Sequence, residues 1–408
     1  MPHFPGRLCA ARTAGLLLAA LCATATAQPL PTLREALEQA WALGAPARSQ
    51  PGRSAELDAR ARGATSPIAG PPVLGLSQRN DQLQRRGGLS ETETEIAVPL
   101  WTPGLRDATQ RQVGADRTAF EQELARARLQ LAGTLREAAA QAAVARIERE
   151  AALRRQLEAA TLADDVARRV RAGESARVEA LQAQALRQQA GAALTQAEQA
   201  LADATAHWRA LTGLATVASP EESAHPATSD DLAAHPALQA AEARQAAAQA
   251  RLRLVDADRR DPVEVGVGLT HDRGAYGERG QYSARLLLRI PLATEQRNRP
   301  RQAAALAEAA AADAERDAVA REITATVTAA RSGLAASQRG IEAAAERARL
   351  SDEAQALIRR GYQLGESSLL ERLRADNEKY EADLALARAR LDGQRAQSRL
   401  LQALGQLP

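Results

Sequence analysis

Two short runs set a carboxylate and a hydroxyl directly behind a glycine: Gly173-Glu174-Ser175 and Gly365-Glu366-Ser367. Between helical segments such a run turns the chain, because glycine takes the left-handed position that ends one helix and the hydroxyl accepts from the first free amides of the next. Ser175 is placed to cap the returning helix, with Val178 and Glu179 in its first turns. Taken singly, either run is a helix-ending device. What gives the pair weight is a spacing of 192 residues, which recurs at Pro99 and Pro291 and again at Gly213 and Gly405. Pro46 and Pro236, like Pro72 and Pro262, stand 190 apart, so two residues were gained between Pro72 and Pro99. The chain is a tandem duplication of a domain-sized half.

Other chemistry is excluded by what does not converge. His225 and His235 precede prolines in a connector, and His207 and His271 fall on separate elements, so no tetrahedral metal site forms. Lys379 is the only lysine, and no Gly-Lys pair exists to meet nucleotide phosphates. No nucleophile, base and acid share a cleft-like pattern, and an enzyme or a bound cofactor is not expected.

The first 27 residues read as a secretory leader: Arg7 and Arg12, an apolar run from Ala14 to Ala23, and Ala25-Thr26-Ala27 as the cleavage site. Cys9 and Cys22, the only two cysteines, lie inside it, so the mature chain has no disulfide or thiolate site. Lipidation at Cys22 is disfavoured, since bulky Leu21 stands where a small residue is wanted. Removing the leader leaves 51 basic residues against 50 acidic ones, a balance unlike that of a nucleic-acid binder. No later apolar run approaches the roughly 18 residues of a spanning helix, so any membrane crossing has to be made by a closed barrel.

The elements that position the two turns follow in order. A short helix opens on Leu33 and breaks at Gly44 and Pro46, and a second runs from about 54 to 62. Strands are expected at 73–79 and 91–98, then 263–271 and 281–290 in the second copy. In each later strand one face is apolar: Thr92, Thr94, Ile96 and Val98 against Glu91, Glu93, Glu95 and Ala97, and Tyr282, Ala284, Leu286, Leu288 and Ile290 against Gln281, Ser283, Arg285, Leu287 and Arg289. This pattern suits an ordinary half-buried hairpin or, more pointedly, a membrane strand with lipid on one side and a polar lumen on the other. Gly266 and Gly268 suit a tightly curved wall, and the aromatics available for its rims are Trp101, Tyr276 and Tyr282. Each strand pair leads into a helix of some sixty to seventy residues, on the order of 100 Å long, then the glycine turn, then a returning helix. Leu124, Ala127, Leu131, Thr134 and Ala138 mark the expected apolar seam of the first long helix. The domains are therefore a leader (1–27), a first repeat (28–215), a connector (216–235) and a second repeat (236–408).

This arrangement resembles the TolC-like outer membrane factors, in LREALEQAW, in the strand-end motifs VPLWTPG and IPLATEQRNRPRQAAALAEA, and in the tips RRVRAGESARVEALQAQ and IRRGYQLGESSLLERLRADNEKYEADLALARARL. The second-copy motifs are most similar to the heavy-metal, CzcC-like branch. The resemblance implies a mainly α fold with a small β part: long helical hairpins plus four strands per chain, trimerising into a 12-stranded outer-membrane barrel on a periplasmic helical tunnel. It implies a passive duct of a tripartite efflux system, exporting small substrates such as heavy-metal cations. Its partners would be two further copies, outer membrane lipid, a periplasmic adaptor (membrane fusion protein) and an inner-membrane transporter. Multidrug efflux and type I protein secretion remain alternatives, as does a periplasmic coiled-coil scaffold. Carried over by position, Gly173, Glu174, Ser175, Gly365, Glu366 and Ser367 form the periplasmic tip where the adaptor docks. Glu179, Glu371 and Tyr362 match gate positions, and Arg374 stands where TolC has a second acid, which argues against a doubled acidic ring.

Overall fold

A computed structural model describes residues 31–83, 87–222, 232–292 and 295–408. The expected leader, and with it Cys9 and Cys22, lies outside the described residues, as do His225 and part of the connector.

Helix α1 (Leu33–Leu43) starts in a capping box, the Thr32 hydroxyl accepting from the Glu35 amide while the Glu35 carboxylate accepts from the Thr32 amide. Gly44 interrupts it, but helix α2 resumes at once and covers Ala45–Thr65, far more than the expected 54–62. Pro46 lies in the first turn, where a proline costs no hydrogen bond, and the helix continues through Pro51 despite the hydrogen bond lost there.

Four strands follow in one antiparallel sheet of order β1-β2-β3-β4: Val73–Asn80, Ser90–Pro99, Glu264–Arg273 and Gln281–Arg289. The two halves of the chain join between β2 and β3, where Ile96 lies opposite Val267 and Glu95 opposite Gly268. The strand ends differ from the sequence expectation by one or two residues.

Helix α3 (Leu105–Arg171) has 67 residues and helix α6 (Glu295–Leu364) has 70. Each is about 100 Å long at 1.5 Å per residue. Helix α4 (Arg177–Thr212) returns along α3, and helix α7 (Leu369–Ala403) returns along α6. Helix α5 (Pro236–Ala257) lies between α3 and α6, and α3 also packs on α7. The returning helices both end on a glycine of positive φ, Gly213 (73°) and Gly405 (76°), so the 192-residue repeat is written in the backbone as well.

A central cluster gathers Leu33, Ala36 and Leu37 of α1, Ala132 and Leu135 of α3, and Trp208 of α4, whose indole N–H donates to the Thr216 carbonyl at 3.0 Å. The α3 seam is wider than the expectation: Ala138 is buried, Leu131 packs on the central cluster, and Leu124 and Ala127 are half-buried, but Thr134 is exposed and Leu129, Ala132, Leu135 and Ala139 are buried as well. In an alanine-rich helix several phases are equally apolar, and the neighbours decide which are covered.

Candidate functional site: the paired helical tips and the two-faced sheet

Both long helices end in the same motif. At the first tip the Gly173 amide donates to the Val170 carbonyl (3.1 Å) and the Glu174 amide to that of Arg169 (2.9 Å). At the second, Gly365 donates to Tyr362 (3.3 Å) and Glu366 to Gly361 (2.8 Å). These are the paired bonds of a Schellman ending, with φ of 78° at Gly173 and 80° at Gly365. Glu174 and Glu366 project into solvent, and Ser175 and Ser367 are half-buried.

The expected cap at Ser175 is not what forms. Helix α4 begins behind Ala176, which offers no side-chain acceptor. In the second copy the cap is Ser368, one residue past the Gly-Glu-Ser run, in a capping box with Glu371. The extra residue matters because the Schellman bond at the second amide after the helix consumes the glycine and glutamate, so a further extended residue is needed before the next helix can start. Hydrogen bonds from the Ser368 backbone amide and hydroxyl hold the Glu371 carboxyl below the usual carboxylate range. Glu371 and Arg374 are both exposed, and Glu179, at the matching place in the first copy, is half-buried.

Tyr362 joins the two hairpins. It is 5% exposed and shares a cluster with Leu162 and Val166 of α3, Ala183 of α4 and Leu369 of α7. Its ring lies between two guanidinium groups, Arg169 of α3 at 4.9 Å and Arg372 of α7 at 4.8 Å from the ring centre. Its hydroxyl has no hydrogen-bond partner among the described residues. About four turns back along α3, Arg155 covers the Tyr380 ring at 4.5 Å and donates to Asn377 at 2.8 Å. Between these contacts runs a groove of about 710 Å³ lined by Arg155, Asp165, Arg169, Arg372, Asp376 and Tyr380. Arg169 and Arg372 escaped the sequence reading because the duplication does not repeat them: their counterparts are Gly361 and Ala180. The sequence signal for each was a four-residue spacing to an acid, Asp165 to Arg169 and Arg372 to Asp376, ion pairs at 3.4 and 3.6 Å.

At the other end of the helices the sheet is inverted relative to a soluble one. Cross-strand partners put Leu74, Leu76, Ile96, Val267, Leu286 and Leu288 on one face, and these are exposed, Leu76 by 75% and Leu286 by 78%. Along the strands that face carries no charge except Arg273 at the loop end. The opposite face has Glu91, Glu93 and Glu95 on β2 and Arg285 and Arg289 on β4, with Gly266, Gly268 and Thr270 covered between them. Burying a leucine is worth about 2 kcal/mol, so an apolar face of this size belongs against something other than water. Strands β1 and β4 also leave both edges of the sheet unpaired in the single chain. Of the rim aromatics, Tyr282 is on the apolar face, its ring 4.6 Å from that of His271, whereas Trp101 at the helical end donates to the Ser66 carbonyl at 2.9 Å. Tyr276 instead ties the two hairpin loops together, its amide donating to Gly87 at 3.0 Å.

Among the described residues no helix is long and apolar enough to cross a membrane, and no three metal-ligating side chains converge.

Three comparisons bear on this geometry. Residues 228–406 match the family described as outer membrane efflux protein. Among solved structures, the chain is similar to the outer membrane protein VceC of Vibrio cholerae, with 17% identity and a TM-score of 0.72 over 92% of this chain and 96% of that one. It is likewise similar to a membrane protein of Pseudomonas aeruginosa, with 18% identity and a TM-score of 0.74 over 91% and 93%. The CmeC outer membrane channel of Campylobacter jejuni gives 12% identity and a TM-score of 0.75 over 91% and 85%. No curated protein matches the sequence.

Proposed function

We propose, from the match of residues 228–406 to the outer membrane efflux protein family and a fold similar to that of TolC-like channels, that three copies of this chain build one passive duct across the outer membrane and periplasm. The observation that carries the reading is the inverted sheet: an apolar face charged only at Arg273 by the loops and turned outward, a charged face turned inward, and two open edges. Lipid has no hydrogen bonds to offer an open edge, so strands of this kind are stable in a membrane only in a closed barrel. Four strands are too few to close, and three chains supply twelve. Three of the strands, with nine or ten residues, reach the roughly nine to eleven that a barrel strand needs, and β1, with eight, is about one short.

The helical hairpins then extend into the periplasm, and the glycine turns form the far end. There the Gly-Glu-Ser runs dock a periplasmic adaptor, which links the duct to an inner-membrane transporter that supplies the driving force. Glu179, Tyr362, Glu371 and Arg374 surround the constriction at this end. The cargo we assign is small solutes and, on the likeness of the second-copy motifs to the CzcC-like branch, heavy-metal cations.

Purified protein is expected to run as a trimer in detergent and to conduct ions in planar bilayers. A monomer that is soluble without detergent and silent in bilayers would defeat the duct and favour a periplasmic scaffold. For the cargo, deleting the gene should sensitise cells to divalent heavy metals; unchanged metal tolerance beside lost tolerance to organic compounds would assign it to multidrug efflux instead.

A further inference from the structure

The charged face of the sheet is ordered in a way that closing a barrel does not require. Three carboxylates, Glu91, Glu93 and Glu95, stand in line on β2. Two arginines of β4 reach them across the intervening strand: Arg285 pairs with Glu93, and Arg289 pairs with Glu95 at 2.6 Å and with Glu264 at 3.3 Å. The strand between them is low because it is made of small residues. A Cβ at Gly266 would stand 2.9 Å from the Ile96 carbonyl oxygen, and one at Gly268 would stand 3.5 Å from the Leu287 side chain. With a bulky residue at Gly268, the guanidinium of Arg285 could not lie over β3 beside Thr270, whose hydroxyl it meets at 3.4 Å.

Counting only the strands, this face has three carboxylates on β2 and two more, Glu264 and Asp272, on β3. Against these stand Arg79, 3.9 Å from Glu91, and the two arginines of β4. The excess is two negative charges per chain. Without Arg285 and Arg289 it would be four. The arginines are about half exposed while Glu93 and Glu95 are more deeply set, so a passing ion meets the guanidinium groups first and the acids behind them.

We infer that Arg285 and Arg289 set the ion preference of the barrel lumen by masking the β2 carboxylate row, leaving a weakly cation-preferring wall where an unmasked one would hold cations strongly. The inference rests on the duct reading, which turns this face to the lumen. A charged wall governs permeation over roughly one screening length, about 30 Å at 0.01 M salt and about 3 Å at 1 M.

The test is the reversal potential of the full trimer in bilayers under a KCl gradient at low salt. R285Q/R289Q should raise the potassium-to-chloride permeability ratio at least about twofold, and E93Q/E95Q should lower it toward unity, both effects vanishing in molar salt. R285K/R289K keeps the charge and should match the wild type. If R285Q/R289Q does not assemble, E93Q/E95Q decides alone. Conducting variants with the wild-type ratio would overturn the inference, as would a lysine variant that shifts like the glutamine one. A wild-type protein that never conducts would overturn the duct itself.

Discussion

Glu371 has two roles to separate, because the carboxylate that would face the constriction is also the acceptor for the Ser368 amide. Ser368→Ala removes the hydroxyl that accepts from the Glu371 amide and leaves the charge in place. A lost N-cap costs about 1 kcal/mol, so hydrogen exchange in the first turn of α7 should quicken about fivefold. Glu371→Ala removes cap and charge together. Weaker divalent-cation block in Glu371→Ala but not in Ser368→Ala would assign the charge to the lumen, and equal block in both would take Glu371 out of the gate. The cap is also pH-linked. The Glu371 carboxyl is depressed in the folded state, so its contribution is whole above the ordinary glutamate range and is lost as pH falls through the lower folded value. The faster exchange of Ser368→Ala relative to wild type should therefore shrink in acid.

The helical tips are elements whose shape depends on a left-handed residue. Gly365 has φ of 80°, and proline is held near −65°, so Gly365→Pro cannot keep the Schellman turn. A Cβ added there would meet nothing within 4 Å, so the damage should stay local. Trimers should persist in detergent while crosslinking to the adaptor disappears; crosslinking at the wild-type level would remove this turn from the docking surface. The same local logic explains why one tip is capped and the other is not. Ala176 and Ser368 are 192 residues apart, and the duplicated backbone is unchanged, yet only the serine can accept a hydrogen bond from the next helix. Helices, strand faces and turns of this kind were readable from residue periodicity, because each depends on neighbours a few positions away. The full width of the α3 seam was not, since Ala132, Leu135 and Ala139 join it, and Thr134 drops out, according to which helices lie alongside.

At the scale of the whole molecule, the two copies are held together near their middle by Arg136. Its guanidinium pairs with Glu222 at 2.7 Å and donates to the Gln402 side chain at 2.6 Å and the Gln406 carbonyl at 3.0 Å, and both members of the ion pair are 5% exposed. One side chain thus joins α3, the segment leading out of the first copy, and the C-terminal end of the second. Removing one partner of a buried pair strands the other, at a cost of about 3–5 kcal/mol. Arg136→Ala should therefore lower the temperature at which detergent-resistant trimers dissociate, and Glu222→Ala should lower it similarly; an unchanged temperature in both would show that the clamp carries no stability. Sequence alone determined the duplication, the glycine turns, the long helices and the two-faced strands, because a repeat spacing and a residue period are properties of the chain itself. Only the tertiary structure decided that Tyr362 lies between Arg169 and Arg372, that Arg136 closes on Glu222, and that β4 arginines cross β3 to reach β2. Those pairings join residues on different elements, and even where the repeat relates two of them, as with Arg285 and Glu93 at 192 residues apart, the spacing does not say that their side chains meet.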